Sequence, residues 1–139
     1  MAGGLQITGV EELVKNFDLM GRDAANLARG ATHKVATVVT KRAKRNAPKS
    51  SSRLRKAIKT KRRREWKGMF RSDTIVLRGD SRADPKGAFY WHFVEFGTLH
   101  QAAQPFIGPA IKETEAEAFT IYENEVVRRT IKLAEKRAA

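Results

Sequence analysis

Thr8-Gly-Val-Glu-Glu-Leu-Val-Lys-Asn-Phe17 decides how the chain begins to fold. Its first four residues match a capping box, in which the Thr8 hydroxyl accepts from the Glu11 amide and the Glu11 side chain reaches back. From there Val10, Leu13, Val14, Phe17, Met20, Ala24, Leu27, Ala28, Ala31, Val35, Val38 and Arg42 fall on one face at steps of three and four. That is the spacing of an amphipathic helix. It predicts a helix over 9–46, bent near Gly21 or Gly30. Asn46-Ala-Pro48 ends it, because a residue before proline avoids the helical region. Ahead of it, Leu5-Gln-Ile-Thr8 alternates and reads as a short edge strand.

Downstream the pattern changes. After the polar loop at Lys49–Ser52, the stretch Leu54–Lys67 reads as strand, with Ile58, Thr60, Arg62, Arg64 and Trp66 on one face. Lys67–Asp73 reads as a turn, Thr74–Arg78 as a β-branched second strand, and Gly79–Gly87 as a long loop. Ala88-Phe-Tyr-Trp-His-Phe-Val-Glu-Phe96 holds five of the eleven aromatic residues. Phe89, Phe93 and Phe96 suit a helical face, whereas Phe89, Trp91 and Phe93 suit a strand, and periodicity leaves both open. Gly97 after it favours a short helix, as a C′ residue. Thr98–Gln104 reads as loop. Gly108-Pro109, followed by Ile111, Thr114, Ala118, Tyr122, Val126, Arg129 and Leu133, predicts a helix over 108–136. Pro109 suits its first position. Glutamates lie early in it and basic residues late, which complements the helix dipole. The fold class expected is α+β: a small antiparallel sheet packed by a long N-terminal and a long C-terminal helix, in one domain spanning 1–139. The first helix and the aromatic segment are expected to form its core.

Charge separates one segment from the rest. The 139 residues carry 28 Lys and Arg against 15 Asp and Glu, a net of +13. Between Lys41 and Arg71 stand 15 basic residues and one acidic residue, Glu65. That window carries +14, and the remaining 108 residues carry −1. A balance of this kind points to a polyanionic partner and says nothing of fold. The absence of cysteine excludes disulfides and thiolate metal sites. No apolar run reaches the 18 or so residues that a membrane span needs, and the first residues lack a signal-peptide pattern.

Catalytic chemistry finds little support. His33 has no acidic neighbour at helical spacing, and His92, Glu95 and His100 lack a standard zinc spacing. Ser50, Ser51 and Ser52 lie outside any nucleophile-elbow context. No catalytic residue, cofactor or metal is therefore expected. The basic run, chiefly Lys56, Lys59, Lys61, Arg62, Arg63, Arg64 and Lys67, is suited to neutralising phosphates through counterion release. The plainer alternative is a solvated or subunit-facing charged surface. Base-specific reading is not expected, since no recognition helix is visible. Trp66 reads more readily as a core residue than as a base-stacking one. Glu95, lying among aromatics, must be paired or protonated if buried. An internal salt bridge or a cap on backbone amides is the first expectation, and an intersubunit arginine pair the second.

Tyr90-Trp-His-Phe-Val-Glu-Phe-Gly-Thr98 followed by Gln104-Pro-Phe-Ile-Gly-Pro-Ala110 resembles the signature of the HK-ninety-seven gene-product-ten family of tailed-phage tail-completion and head–tail joining proteins. Ala47-Pro48 and Leu54-Arg55-x-x-Ile58 resemble its upstream stretch. Four positions depart from the pattern: Ser51-Ser52 where Thr-Gly is usual, and Gln104 and Gly108 where arginines are common. The resemblance implies a structural role for Tyr90, Val94, Glu95, Phe96, Gly97, Thr98, Pro105, Phe106 and Pro109, within the protomer or between subunits. It further implies a virion protein of the neck, assembled in the host cytoplasm as a homo-oligomeric ring. Sixfold symmetry is the first expectation and twelvefold the second. Its neighbours would be head-closure or connector, tail terminator and tail-tube proteins, with nonspecific contact to packaged DNA and no membrane. A free, sequence-nonspecific nucleic-acid-binding protein is the alternative. A small hydrolase using Glu95 with His92 is a distant third.

Overall fold

The computed structural model describes residues 10–50, 52–64, 70–79 and 87–139, with backbone alone up to residue 20. Helix α1 spans Val10–Asn46, α2 Ser52–Ala57 and α3 Trp91–Phe96, while α4 spans Ile107–Glu115 and α5 Ala118–Ala138. Strands β1 (Ile58–Arg62) and β2 (Ser72–Val76) pair antiparallel, with Ile58 opposite Val76 and Thr60 opposite Thr74. This is the α+β arrangement expected, with a long N-terminal and a long C-terminal helix and, among the described residues, a two-stranded sheet between. The capping box at Thr8, the strand at Leu5–Thr8, and Trp66 and Lys67 lie outside the described residues.

The buried line of α1 is rotated from the face read in the sequence. Ala31 of that face is wholly buried, but the buried line continues through Ala36, Thr40, Ala43 and Ala47, whereas Ala24 is exposed and Val35 and Val38 are only partly covered. Small side chains hold this line because the sheet, α2, α4 and α5 all crowd against α1. At Gly30 the guanidinium of Arg129 from α5 occupies the space that a Cβ would fill. The large apolar residues Val35, Val38 and Val39 lie on the neighbouring face, which is only partly covered.

Three further boundaries differ from expectation. Leu54 lies on a helix: Leu54 and Ala57 are buried one turn apart on α2, and the strand starts at Ile58. The second strand begins two residues earlier than the β-branched run suggests. Backbone bonds from Arg63 N to Arg71 O and from Leu77 N to Ala57 O, both 2.9 Å, fix the register that places Thr74 opposite Thr60. The C-terminal helix is two helices. The chain turns at Ala116–Glu117, where Glu117 N bonds Thr114 O at 3.0 Å, and both α4 and α5 then lie against α1. No proline or glycine marks that turn.

The core gathers Ala43 and Ala47 with Leu54, Ala57 and Ile58, and with Ala88, Val94, Phe106 and Ala110. Tyr90 and Trp91 pack against it, but Phe93 and Phe96 face outward. The aromatic segment is therefore only partly a core element.

Candidate functional site

Glu95 is the organising residue of the aromatic stretch, and it works within the protomer. Its side chain is buried, and its carboxylate accepts from three consecutive amides at the start of α4. Phe106 N lies 2.7 Å and Ile107 N 3.0 Å from Oε2, and Gly108 N lies 2.9 Å from Oε1. The next residue, Pro109, has no N–H to satisfy. It occupies the third helical position rather than the first, since α4 starts at Ile107. A helix N-terminus leaves its first donors orphaned, and an anion there also meets the positive end of the dipole. One carboxylate thus caps the whole first turn.

The other motif residues hold the clasp shut. Gly97 takes φ +78°, and a Cβ there would stand 2.8 Å from Ala103 N. Val94 is buried, and its carbonyl accepts from Gln104 N at 2.8 Å. Thr98 N donates to Gln101 O at 2.8 Å, while its Oγ1 accepts from His100 N at 3.2 Å. Phe106 is wholly buried, and Tyr90 stands at the N-cap of α3. Pro105 and Phe96 are exposed. With both oxygens of Glu95 engaged by amides, the arrangement offers it no part in acid–base chemistry with His92. Among the described residues, no three His, Asp or Glu side chains are placed to share a metal ion.

The basic residues form a separate surface on α2 and β1. Ile58 and Thr60 turn inward, and Lys56, Lys59, Lys61, Arg62, Arg63 and Arg64 are exposed. Arg63 differs from the others. Together with Arg71 it holds Asp73 across the sheet, at 2.6 and 2.7 Å. Hydrogen bonds from these two guanidiniums lower the pKa of Asp73 below its ordinary value. Lys56, Lys59, Lys61, Arg62 and Arg64 are exposed and form no ion pair among the described residues.

Behind the cations lies a polar seam that the sequence reading missed. Thr60 Oγ1 donates to Thr40 Oγ1 at 2.7 Å, Thr40 and Thr74 share a bond of 2.9 Å, and Thr40 Oγ1 also reaches Ala36 O at 3.0 Å. His33 Nδ1 meets Ser72 Oγ at 3.3 Å. Burial, with Arg62 and Arg129 nearby, holds its pKa below the ordinary histidine value. The signal was present in Thr60 and Thr74, which share the inward parity with Ile58. On α1, Thr40 stands at helical spacing between Ala36 and Ala43.

Residues 11–97 match the family model described as "Bacteriophage HK97-gp10, putative tail-component". That is more than half of the chain, and the chain belongs to this family of bacteriophage tail components. The match runs from α1 through the basic surface to Gly97. It includes Glu95 but ends before the amides that Glu95 caps. No curated protein and no solved structure matches the chain.

Proposed function

We propose that this protein is a non-enzymatic subunit of the phage neck, completing the tail and joining it to the head as a homo-oligomeric ring around the DNA conduit. The observation that carries the reading is the group of exposed cations on and beside α2 and β1, which form no ion pair among the described residues, in a member of a tail-component family. A ring of such subunits presents the same group repeatedly to a central polyanion, whose phosphates bind by counterion release without sequence reading. Sixfold assembly matches a tail and twelvefold a portal; head-closure, terminator and tail-tube proteins are the neighbours this position implies. The place of action is the virion, after assembly in the host cytoplasm.

The test replaces Lys59, Lys61, Arg62 and Arg64 by glutamine in the phage, leaving Arg63 to hold Asp73. The expected particles contain the folded variant but show unjoined heads and tails or lost DNA. Wild-type infectivity with filled, intact particles would overturn the reading.

A further inference from the structure

Building on the DNA-facing reading of the α2–β1 surface, we propose that Asp73 assembles a phosphate clamp on the outer face of the sheet. It holds the guanidiniums of Arg63 and Arg71 together, and the pair binds one phosphodiester of duplex DNA.

One carboxylate joins two arginines here. Arg63 Nε donates to Asp73 Oδ2 at 2.6 Å, and Arg71 Nε donates to Asp73 Oδ1 at 2.7 Å. The arginines stand opposite one another across the sheet, where Arg63 N bonds Arg71 O at 2.9 Å. Like charges so placed repel, and the carboxylate between them offsets that repulsion. A guanidinium carries five N–H donors. Each arginine gives only its Nε–H to Asp73, and its Nη amines find no acceptor among the described residues. The Asp73 side chain is 18% exposed, against 45% for Arg63 and 73% for Arg71. The anchor is thus the covered member of the three, and the two donors are the accessible ones.

The chemistry of this group selects a phosphodiester. Two arginines and one aspartate leave a single positive charge, which one monoanionic phosphodiester neutralises. Guanidinium forks match phosphate oxygens in geometry as well as in charge. Neighbouring cations continue the site along one DNA strand. Thr60 turns toward Thr40 on α1, so the odd-numbered residues of β1 lie on the opposite face. Lys61 stands opposite Asp73 in the ladder and Lys59 lies two residues further on, and both share the face of the clamp. Side chains two apart on a strand are about 6.7 Å from one another, comparable to the step between neighbouring phosphates of one DNA strand. The clamp, Lys61 and Lys59 therefore present three unit charges in line to one backbone.

A clamp and a merely structural ion pair predict opposite signs. On a surface that binds DNA by charge alone, Asp73 is a repulsive group. Removing it then acts as one added cation and tightens binding by about fivefold to eightfold at ordinary salt. In a clamp, Asp73 is a positioning residue, and Arg63 and Arg71 touch the phosphate. Without it the arginines repel one another and lose their fixed orientation. Binding then weakens although the net charge has risen.

The experiment titrates the purified full chain against a short fluorescent DNA duplex, with anisotropy read over a salt series. Asp73→Asn is expected to weaken binding by about threefold or more, as loss of charged hydrogen bonds does. Arg63→Lys combined with Arg71→Lys keeps every charge and removes both forks. It too is expected to weaken binding by about threefold or more, because lysine does not replace arginine at a forked contact. Circular dichroism checks that each variant is folded, and the double lysine variant decides the matter if Asp73→Asn is not. Unchanged or tighter binding by folded Asp73→Asn, or unchanged binding by the lysine pair, would overturn the clamp and leave the DNA reading of the surface in place. A wild-type chain that does not bind the duplex, or binds it without salt dependence, would overturn both.

Discussion

The Glu95 carboxylate accepts the Phe106 amide at 2.7 Å across eleven residues, and the amides of Ile107 and Gly108 complete the cap. This contact ties α3 to α4 without a charged partner, so its loss frees three donors at once, the Phe106 amide buried and the other two partly buried. Glu95→Gln keeps the shape but turns an amide group toward those donors. A cost of about 2 kcal/mol is expected, which in a domain of this size lowers Tm by about 8 °C. Thermal denaturation at neutral pH measures it, and a variant with wild-type Tm would show that the clasp contributes nothing.

Two glycines of the same motif should respond with opposite signs. Gly97 holds a positive φ, and a Cβ would press against Ala103 N. Gly97→Ala is expected to destabilise by about 2 kcal/mol through strain. Gly108 lies in the first turn of α4, where a Cβ would meet Glu95 Oε1 at an ordinary 3.4 Å. Gly108→Ala should stabilise by about 0.5 kcal/mol, since alanine restricts the unfolded chain. Denaturant midpoints for the pair decide the matter, and equal effects would refute the distinction.

What the sequence made legible depended on range. The long period of α1 and its end before Pro48 follow from local spacing and composition, and the structure agrees with both. The rotated face of α1 does not follow. Which side of a helix is buried depends on what crowds it, and here small residues admit the sheet. The turn at Ala116–Glu117 has no breaker residue, because the need to lay two helices on α1 imposes it. The family signature was readable as residues. That its carboxylate and its Pro-Phe turn form one cap was not, since the contact spans a loop.

Glu125 gives the fold a pH dependence. It is buried, and Arg128 and Arg129 hold it at 2.6 and 2.7 Å. Those hydrogen bonds outweigh burial and lower its pKa from 4.5 to about 2. The depressed value means that its stabilisation is fully present above pH about 4.5 and is lost as pH falls toward 2. With both arginines partly exposed, a contribution of about 1–2 kcal/mol is expected. The stability gap between wild type and Glu125→Gln should be widest at neutral pH and should narrow across that window. A gap independent of pH would contradict the pairing. The comparison with the variant separates Glu125 from Asp73, whose pKa is also lowered.

Arg63 and Arg62 are neighbours in sequence with different tasks. Arg63 is anchored to Asp73 at 2.6 Å, and Arg62 makes no ion pair among the described residues. If the α2–β1 surface meets DNA, the outward cations set the salt dependence of binding, with a slope of about 0.9 for each phosphate neutralised. Replacing Lys59, Lys61, Arg62 and Arg64 by glutamine should lower the slope by up to about 3–4 for duplex DNA, with Tm unchanged. Arg63→Gln should change the slope by less than about 1 but lower the stability slightly, because Asp73 keeps only Arg71. Fluorescence anisotropy over a salt series reads the slopes. A quadruple variant with the wild-type slope would remove DNA as the partner of this surface and leave an acidic protein neighbour in its place.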